Sequence, residues 1–224
     1  MVRRTKEQAL VTRHTLLDAA ELLFQARGVA GTSLQAIAQA AGTTRGAVYW
    51  HFRDKADLFN TMAERVTLPM ERVFSGEMTD TPNCRIASLD HATQLKAATT
   101  VLLSQIVLNA QTRRVLEVAT QKVEYVEENN AIRERYLLVR RSFTDRCESR
   151  LVLAAQQAGL ALPVSTGMAA RGFRALIDGL NQSWLLGPLA FDLVKSGALA
   201  MDVYLAGLGL TPKSGVLPQR AELC

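Results

Sequence analysis

Residues 32–55 read TSLQAIAQAAGTTRGAVYWHFRDK and carry the clearest structural signal in this chain. Two short segments of this stretch place apolar residues at helical spacing, and a turn containing Gly42 separates them. Ile37 lies on the apolar face of the first segment, and Val48 and Phe52, four residues apart, lie on that of the second. Two short helices joined by a glycine-containing turn are typical of a helix-turn-helix, which this stretch therefore predicts.

Local end signals give the expected limits of both helices. Thr32 and Gln35 have capping-box spacing ahead of a helix near 34–41, and Gly42 stands at its end. Thr44 is the expected N-cap of a second helix over about 45–52.

The outward face of the second helix carries groups that suit the major groove of a DNA duplex. Arg45 can make a forked contact with O6 and N7 of guanine, and Gly46 lets the backbone approach closely. Thr44, Tyr49 and His51 are natural donors to phosphate, and such contacts set the register of a protein on DNA.

Lys55 opens the next helix, whose free N–H groups can bind a phosphate together with the lysine ammonium. A helical hairpin without a nucleic-acid partner, in which Tyr49 and Trp50 pack in the core, remains the alternative on spacing alone. The candidate DNA-contacting residues are Ser33, Thr43, Thr44, Arg45, Gly46, Tyr49, Trp50, His51 and Lys55.

The charge distribution also directs attention to the N-terminus. Residues 1–55 carry eight basic and four acidic side chains, whereas the remaining residues carry 18 and 17. A polyanionic partner is therefore expected at the N-terminal quarter of the 224-residue chain.

Several other classes of protein are disfavoured. None of the three histidines follows a glutamate at metal-binding spacing, and the chain has no Cys-x-x-Cys, phosphate loop, dinucleotide glycine motif or Gly-x-Ser-x-Gly. We expect no enzymatic activity, no cofactor and no metal ion. The charged N-terminus, the lack of a bilayer-spanning apolar run and the three scattered cysteines predict a cytoplasmic protein without a membrane partner. Cys147, beside Arg146, is either a redox-sensitive thiol or an inert buried one.

Helical periodicity extends through the rest of the chain, and no segment alternates as a strand would. An all-α fold is expected, with a DNA-binding domain over 1–55, an effector and dimerisation domain over 56–210, and a tail over 211–224 without fixed structure. Further helices are expected near 6–27, 54–74, 85–110, 112–128, 130–158, 165–186 and 191–208.

Four segments resemble the TetR family, and in particular its AcrR-like subgroup of multidrug efflux-pump repressors. They are RTKE (4–7), GTSLQAIAQAAGTTRGAVYWHFRDKADLF (31–59), LNAQTRRVLEVATQKVEYVEE (108–128) and GLNQSWL (179–185). The resemblance implies about nine helices and a homodimer with one helix-turn-helix per subunit. It further implies a repressor that binds a pseudo-palindromic operator and is released by small apolar or aromatic compounds. A DNA-binding protein without a small-molecule effector, or a regulator of another operon, remains the alternative.

Polar side chains on apolar helices of the C-terminal region are candidates for lining a ligand cavity. Thr67 stands where some subgroup members carry a carboxylate, which weakens any expected preference for cations. A solvated helix face or satisfied buried amides would explain the same residues. The polar candidates are Thr67, Asn109, Glu117, Gln121, Arg140 and Asn181, and the apolar candidates for the same cavity are Ile106, Phe143 and Ile177.

Apolar stripes on the last two helices predict a four-helix dimer interface. The alternative is that these stripes complete the core of one subunit. The interface candidates are Phe173, Leu176, Leu180, Trp184, Leu199 and Val203.

Overall fold

A computed structural model describes residues 6–75, 89–124 and 130–211, with side chains omitted for 68–75. All regular secondary structure in these ranges is helical, which confirms the all-α prediction. The helices are α1 (Lys6–Arg27), α2 (Leu34–Ala40), α3 (Arg45–His51), α4 (Lys55–Ser75), α5 (His91–Leu108), α6 (Ala110–Gln121), α7 (Asn130–Ala158), α8 (Thr166–Leu186) and α9 (Leu193–Gly207).

One expected cap and two expected helix limits were wrong. Helix α5 begins at His91, after the non-helical residues 89 and 90, whereas its start was expected near 85. Ser33, not Thr32, caps α2: its Oγ accepts from Ala36 N–H at 3.2 Å. The Thr32 hydroxyl is buried and donates instead to the carbonyl of Gly28 at 2.7 Å, so it closes the turn after α1. Helix α6 ends at Gln121, seven residues before the expected limit. The tail expected over 211–224 lies outside the described residues apart from Thr211.

The chain divides into two compact units. The first comprises residues 1–67 and 111–137, and the second comprises 68–110 and 138–224. The first unit thus contains the predicted DNA-binding segment together with the start of α4, the whole of α6 after its first residue, and the start of α7.

An apolar core holds the N-terminal helices of the first unit together. Leu16, Phe24, Ile37, Val48 and Leu58, one or two from each of α1 to α4, are completely buried. Burial of side chains of this size stabilises a fold by about 1.5–3 kcal/mol each. Since α2 and α3 are too short to be stable alone, this shared core is what keeps them helical.

A buried carboxylate joins α6 to α1 and α4 within the first unit. Glu21 of α1 is 2% exposed, and its Oε1 accepts from Gln111 Nε2 at 2.7 Å and from Arg65 Nη1 at 3.1 Å. Its Oε2 lies 3.6 Å from Arg114 Nε. Burial raises the pKa of Glu21, although Gln111, Arg65 and Arg114 oppose that shift. The carboxylate of Glu21 therefore connects α1 to both α4 and α6.

The turn that follows α1 is held by the chain that follows α6. Val29 N–H donates to the carbonyl of Lys122 at 3.0 Å, and Ala30 N–H donates to Glu124 Oε2 at 3.2 Å. Gln25 Nε2 of α1 donates to Glu117 Oε2 of α6 at 2.8 Å. These bonds explain why α6 belongs to the compact unit of the helix-turn-helix.

The second unit is built on the packing of α9 against α5 and α8. Lys96 of α5 forms an ion pair with Asp202 of α9 at 2.6 Å, and Tyr204 Oη donates to the carbonyl of Ala169 in α8 at 2.6 Å. Gly197 allows the closest approach, because a Cβ there would overlap Leu103 Cδ1. None of the described helices combines the length and the apolar character needed to cross a bilayer.

Candidate nucleic-acid interface

The turn between α2 and α3 has a regular helix-ending geometry. Thr43 N–H donates to the carbonyl of Ala38 at 2.9 Å, and Gly42 N–H donates to that of Gln39 at 3.1 Å. This pair of bonds defines a Schellman motif, which needs a left-handed residue at the position of Gly42. Gly42 has φ of +64°, a conformation that costs little only for glycine.

Helix α3 starts where the sequence predicted. Thr44 Oγ1 accepts from Ala47 N–H at 3.2 Å, which confirms Thr44 as the N-cap. Val48 and Phe52 are 0% and 2% exposed, so the apolar side of α3 is anchored in the first unit. The opposite side of α3 must therefore face outward.

Five of the nine predicted DNA-contacting residues lie on that outer side of α3 or at its N-cap. Thr44, Arg45, Gly46, Tyr49 and Trp50 are exposed. Thr43, His51 and Lys55 are half-buried, and Ser33 is exposed at the start of α2. The alternative in which Tyr49 and Trp50 are core aromatics does not describe this structure, since they are 49% and 72% exposed.

Arg45 and Tyr49 form a pair on the outer face of α3. Arg45 Nη2 donates to Tyr49 Oη at 3.1 Å, and the guanidinium carbon lies 5.5 Å from the centre of the tyrosine ring. The hydrogen bond with Tyr49 raises the pKa of Arg45. A guanidinium is charged at any physiological pH even without such a bond. A fixed positive fork on an exposed helix suits recognition of guanine.

Lys55 has a second role that spacing did not reveal. Its Nζ donates to the carbonyl of Val29 at 2.8 Å and to that of Thr32 at 3.3 Å. The ammonium therefore ties the start of α4 to the turn before α2. Contact between Lys55 and a phosphate stays a prediction, and any substitution there will also affect this turn.

The candidate ligand residues are divided between the two units. Thr67, Glu117 and Gln121 belong to the first, whereas Ile106, Asn109, Arg140, Phe143, Ile177 and Asn181 belong to the second. Ile106 and Ile177 are buried, Phe143 is half-buried, and Asn109 and Gln121 are exposed at helix ends. Glu117 is paired with Gln25, and Arg140 with Asp178 at 2.5 Å.

Two candidate ligand residues hold buried polar atoms that lack a hydrogen-bond partner among the described residues. They are Thr67 Oγ1 in the first unit and Asn181 Oδ1 in the second. Buried polar atoms in folded proteins are nearly always paired, so such an atom favours an external partner.

The interface candidates fall into two groups. Phe173 and Trp184 are 0% and 5% exposed, so they belong to the core of the subunit. Leu176 and Leu180 are half-buried, while Leu199 and Val203 are 57% and 75% exposed. Exposed apolar side chains at 199 and 203, one turn apart, favour a surface that a second subunit covers.

Cys147 is completely buried in α7, and burial raises its pKa to about 12 although Arg174 opposes the shift. An inert thiol is therefore favoured over a redox-sensitive one.

Comparison with known proteins agrees with this arrangement. Residues 16–62 match the model of "Bacterial regulatory proteins, tetR family", and residues 90–209 match that of the "MAATS-type transcriptional repressor, C-terminal region". The chain is 34% identical over 209 residues to the HTH-type transcriptional regulator AcrR of Shigella flexneri, covering 92% of this chain and 94% of AcrR.

Two solved structures are similar over nearly the whole chain. NalD, the secondary repressor of the MexAB-OprM multidrug efflux pump in Pseudomonas aeruginosa, has a TM-score of 0.79 and 33% identity, covering 94% of this chain and 100% of NalD. SmeT of Stenotrophomonas maltophilia in complex with triclosan has a TM-score of 0.76 and 29% identity, covering 93% of this chain and 98% of SmeT.

Proposed function

Because this chain belongs to the TetR family of bacterial regulatory proteins, we propose that it represses the operon of a multidrug efflux pump. As a member of that family, the protein is a transcriptional regulator that binds operator DNA as a dimer and responds to a small-molecule effector. The efflux target follows from NalD and SmeT, which are repressors of multidrug efflux pumps.

The exposed face of α3 is the observation that carries the DNA-binding part of this proposal. Residues 1–55 supply the contacts, with Arg45 as base reader and Ser33, Thr43, Thr44, Gly46, Tyr49, Trp50, His51 and Lys55 around it. Two such α3 faces on a twofold dimer bind two DNA half-sites, about 34–36 Å apart, of a pseudo-palindromic operator.

A footprint on the DNA flanking the protein's own gene tests this proposal. Arg45→Ala is expected to weaken binding to the protected site by about 1–3 kcal/mol and to relax base choice at one position per half-site. Lys55→Ala is expected to weaken binding to all DNA sequences similarly and to lower the salt dependence of DNA affinity. Since Lys55 also holds the carbonyls of Val29 and Thr32, thermal unfolding of that variant must be measured beside its binding.

The effector is proposed to be a small apolar or aromatic compound that binds within the 56–210 region. Asn181 is the proposed polar contact there, because its buried Oδ1 has no partner among the described residues. The ligand candidates Ile106, Phe143 and Ile177, which belong to the same unit as Asn181, add apolar surface. Thr67 belongs to the first unit and stays a separate candidate. Asn109, Glu117, Gln121 and Arg140 are weaker candidates, being exposed or internally paired.

Release of the protein from operator DNA by added compounds tests the proposal of a small-molecule effector. A panel of apolar compounds that includes triclosan, the compound bound to SmeT, is added to the preformed complex. Asn181→Leu should reduce release by the active compound and leave operator affinity unchanged without it. A complex that no compound releases would favour the alternative, a DNA-binding protein without an effector.

Dimerisation is proposed to use an apolar surface of α8 and α9, formed by the exposed Leu199 and Val203 and the half-buried Leu176 and Leu180. Leu199→Glu together with Val203→Glu should give a monomer in sedimentation measurements. A dimer that persists would place the interface elsewhere. The protein is further proposed to act in the cytoplasm, where its operator lies, and to work through binding alone, with no catalytic step.

A further inference from the structure

Two separate contacts hold the guanidinium of Arg45 against Tyr49 on the exposed face of α3. The hydroxyl of Tyr49 accepts a hydrogen bond of 3.1 Å from Nη2, and the aromatic ring lies 5.5 Å from the guanidinium carbon. The two residues are four apart, which places them as neighbours on one side of the helix. An exposed arginine otherwise samples many rotamers, so this pair selects one orientation.

We propose that Tyr49 is a positioning residue, which orients Arg45 for base reading before DNA binds and so contributes to sequence specificity through Arg45. This inference rests on the proposed function, in which Arg45 reads a base. It differs from the expectation that Tyr49 donates to phosphate, because a phosphate contact would support every DNA sequence equally.

The chemistry of the guanidinium permits both contacts together. Arginine has five N–H donors in a planar fork, and the bond to Tyr49 occupies one of them. The remaining donors include a pair that can reach O6 and N7 of guanine. Tyr49 Oη acts as an acceptor in this bond, and its own proton remains available for a phosphate or water.

Neighbouring side chains on α3 are engaged in other contacts. Thr44 Oγ1 accepts the capping bond from Ala47 N–H at 3.2 Å. Trp50 lies edge-on to His51, with ring centres 4.6 Å apart. Trp50 is therefore a matched control: an exposed aromatic next to Tyr49 that packs on a different residue.

A double-mutant cycle on the full-length dimer tests the inference. Fluorescence anisotropy measures operator affinity for wild type, Arg45→Ala, Tyr49→Phe and the double variant. A second duplex carries the base change that most weakens the wild type and does not affect Arg45→Ala. Tyr49→Phe keeps the ring and removes only the hydroxyl, and a circular dichroism melt checks that each variant folds.

Tyr49→Phe is expected to weaken operator binding about 2- to 12-fold, the cost of immobilising one flexible side chain on binding. The same substitution should have less than about a 2-fold effect on the altered duplex and in the Arg45→Ala background. Tyr49→Leu, which also removes the ring, should weaken the operator complex further. Trp50→Phe should combine with Arg45→Ala additively.

Other outcomes overturn the inference. An equal loss for Tyr49→Phe on both duplexes, with and without Arg45, would assign Tyr49 to a phosphate. No loss, or no base change that depends on Arg45, would also refute the positioning role. The first two results leave the proposed function intact, because the wild type still binds its operator. The third would remove Arg45 as the base reader but would leave operator binding itself in place. Failure of the wild type to bind any duplex at low salt would instead refute the proposed function.

Discussion

The Glu21→Gln substitution removes one negative charge from the interior of the first unit and keeps the size of the side chain. Glu21 is 2% exposed, and its partners are Gln111, Arg65 and Arg114. The amide oxygen of the variant can still accept from Gln111. The two arginines remain, but each has access to water, with side chains 25% and 28% exposed.

This solvent access determines the expected magnitude. Removing one partner of a fully buried ion pair destabilises a protein by about 3–5 kcal/mol. Here Arg65 keeps its ion pair with Asp18 at 2.7 Å. Arg114 Nε is buried and has no hydrogen-bond partner among the described residues, but 28% of the side chain is exposed, so the guanidinium charge stays partly solvated. The variant also avoids the desolvation of a carboxylate. We therefore expect Glu21→Gln to lie within about 1 kcal/mol of wild type at pH 7, the range of a partly solvated pair.

The pH dependence has a definite sign. Burial is the main cause that raises the pKa of Glu21 in the folded protein above its ordinary value of 4.5. The folded state thus binds this proton more tightly than the unfolded state does. As pH rises from 4.5 through the folded pKa, wild type loses stability that Glu21→Gln does not lose. Across this pH window the free energy of unfolding of the variant should therefore rise relative to that of wild type.

Urea unfolding followed by circular dichroism between pH 4.5 and 8 measures both effects. The protein concentration must be fixed, because the unfolding of a dimer depends on it. Asp18→Asn is the matched control: it removes the exposed partner of the same Arg65 and should cost less than about 1 kcal/mol. Two results would refute this reasoning. One is a free energy of unfolding for Glu21→Gln that is lower than that of wild type by about 3 kcal/mol or more at pH 7. The other is a wild type that becomes more stable relative to the variant as pH rises.

Three substitutions and one chemical modification test further local features. Gly42→Ala should lower the free energy of unfolding by about 1–2 kcal/mol and weaken operator binding, because φ at this position is +64°. Gly46→Ala, inside α3, should instead stabilise the protein by about 0.5–1 kcal/mol. Equal changes in stability for the two variants would contradict the turn geometry. Gly197→Ala should destabilise by about 1–3 kcal/mol in thermal unfolding, because Leu103 must move, and an unchanged melting temperature would show that α5 and α9 are not so close. Cys147 should resist alkylation at pH 8 until urea is added, since burial raises its pKa to about 12, and rapid labelling of its peptide in native protein by mass spectrometry would contradict that burial.

Local sequence features were sufficient to predict the helix-turn-helix. The limits of α3, its cap Thr44 and the role of Gly42 depend on hydrogen bonds and backbone angles within a few residues. The anchors Val48 and Phe52 follow from spacing alone. Even the cap of α2 was misassigned by only one residue, because Thr32 and Ser33 are both good caps and only the fold shows which of them closes the preceding turn.

Only the tertiary structure decided which distant segment packs against each helix face. Glu21 lies four residues after Leu17 and three before Phe24, on the apolar side of α1, so its position was a sign of burial; its partners on α4 and α6 are about 44 and 90 residues away. The same holds for α8 and α9, where Trp184 is buried and Val203 exposed although both belong to apolar stripes. Periodicity shows which side of a helix avoids water, but contacts between distant segments decide what that side packs against.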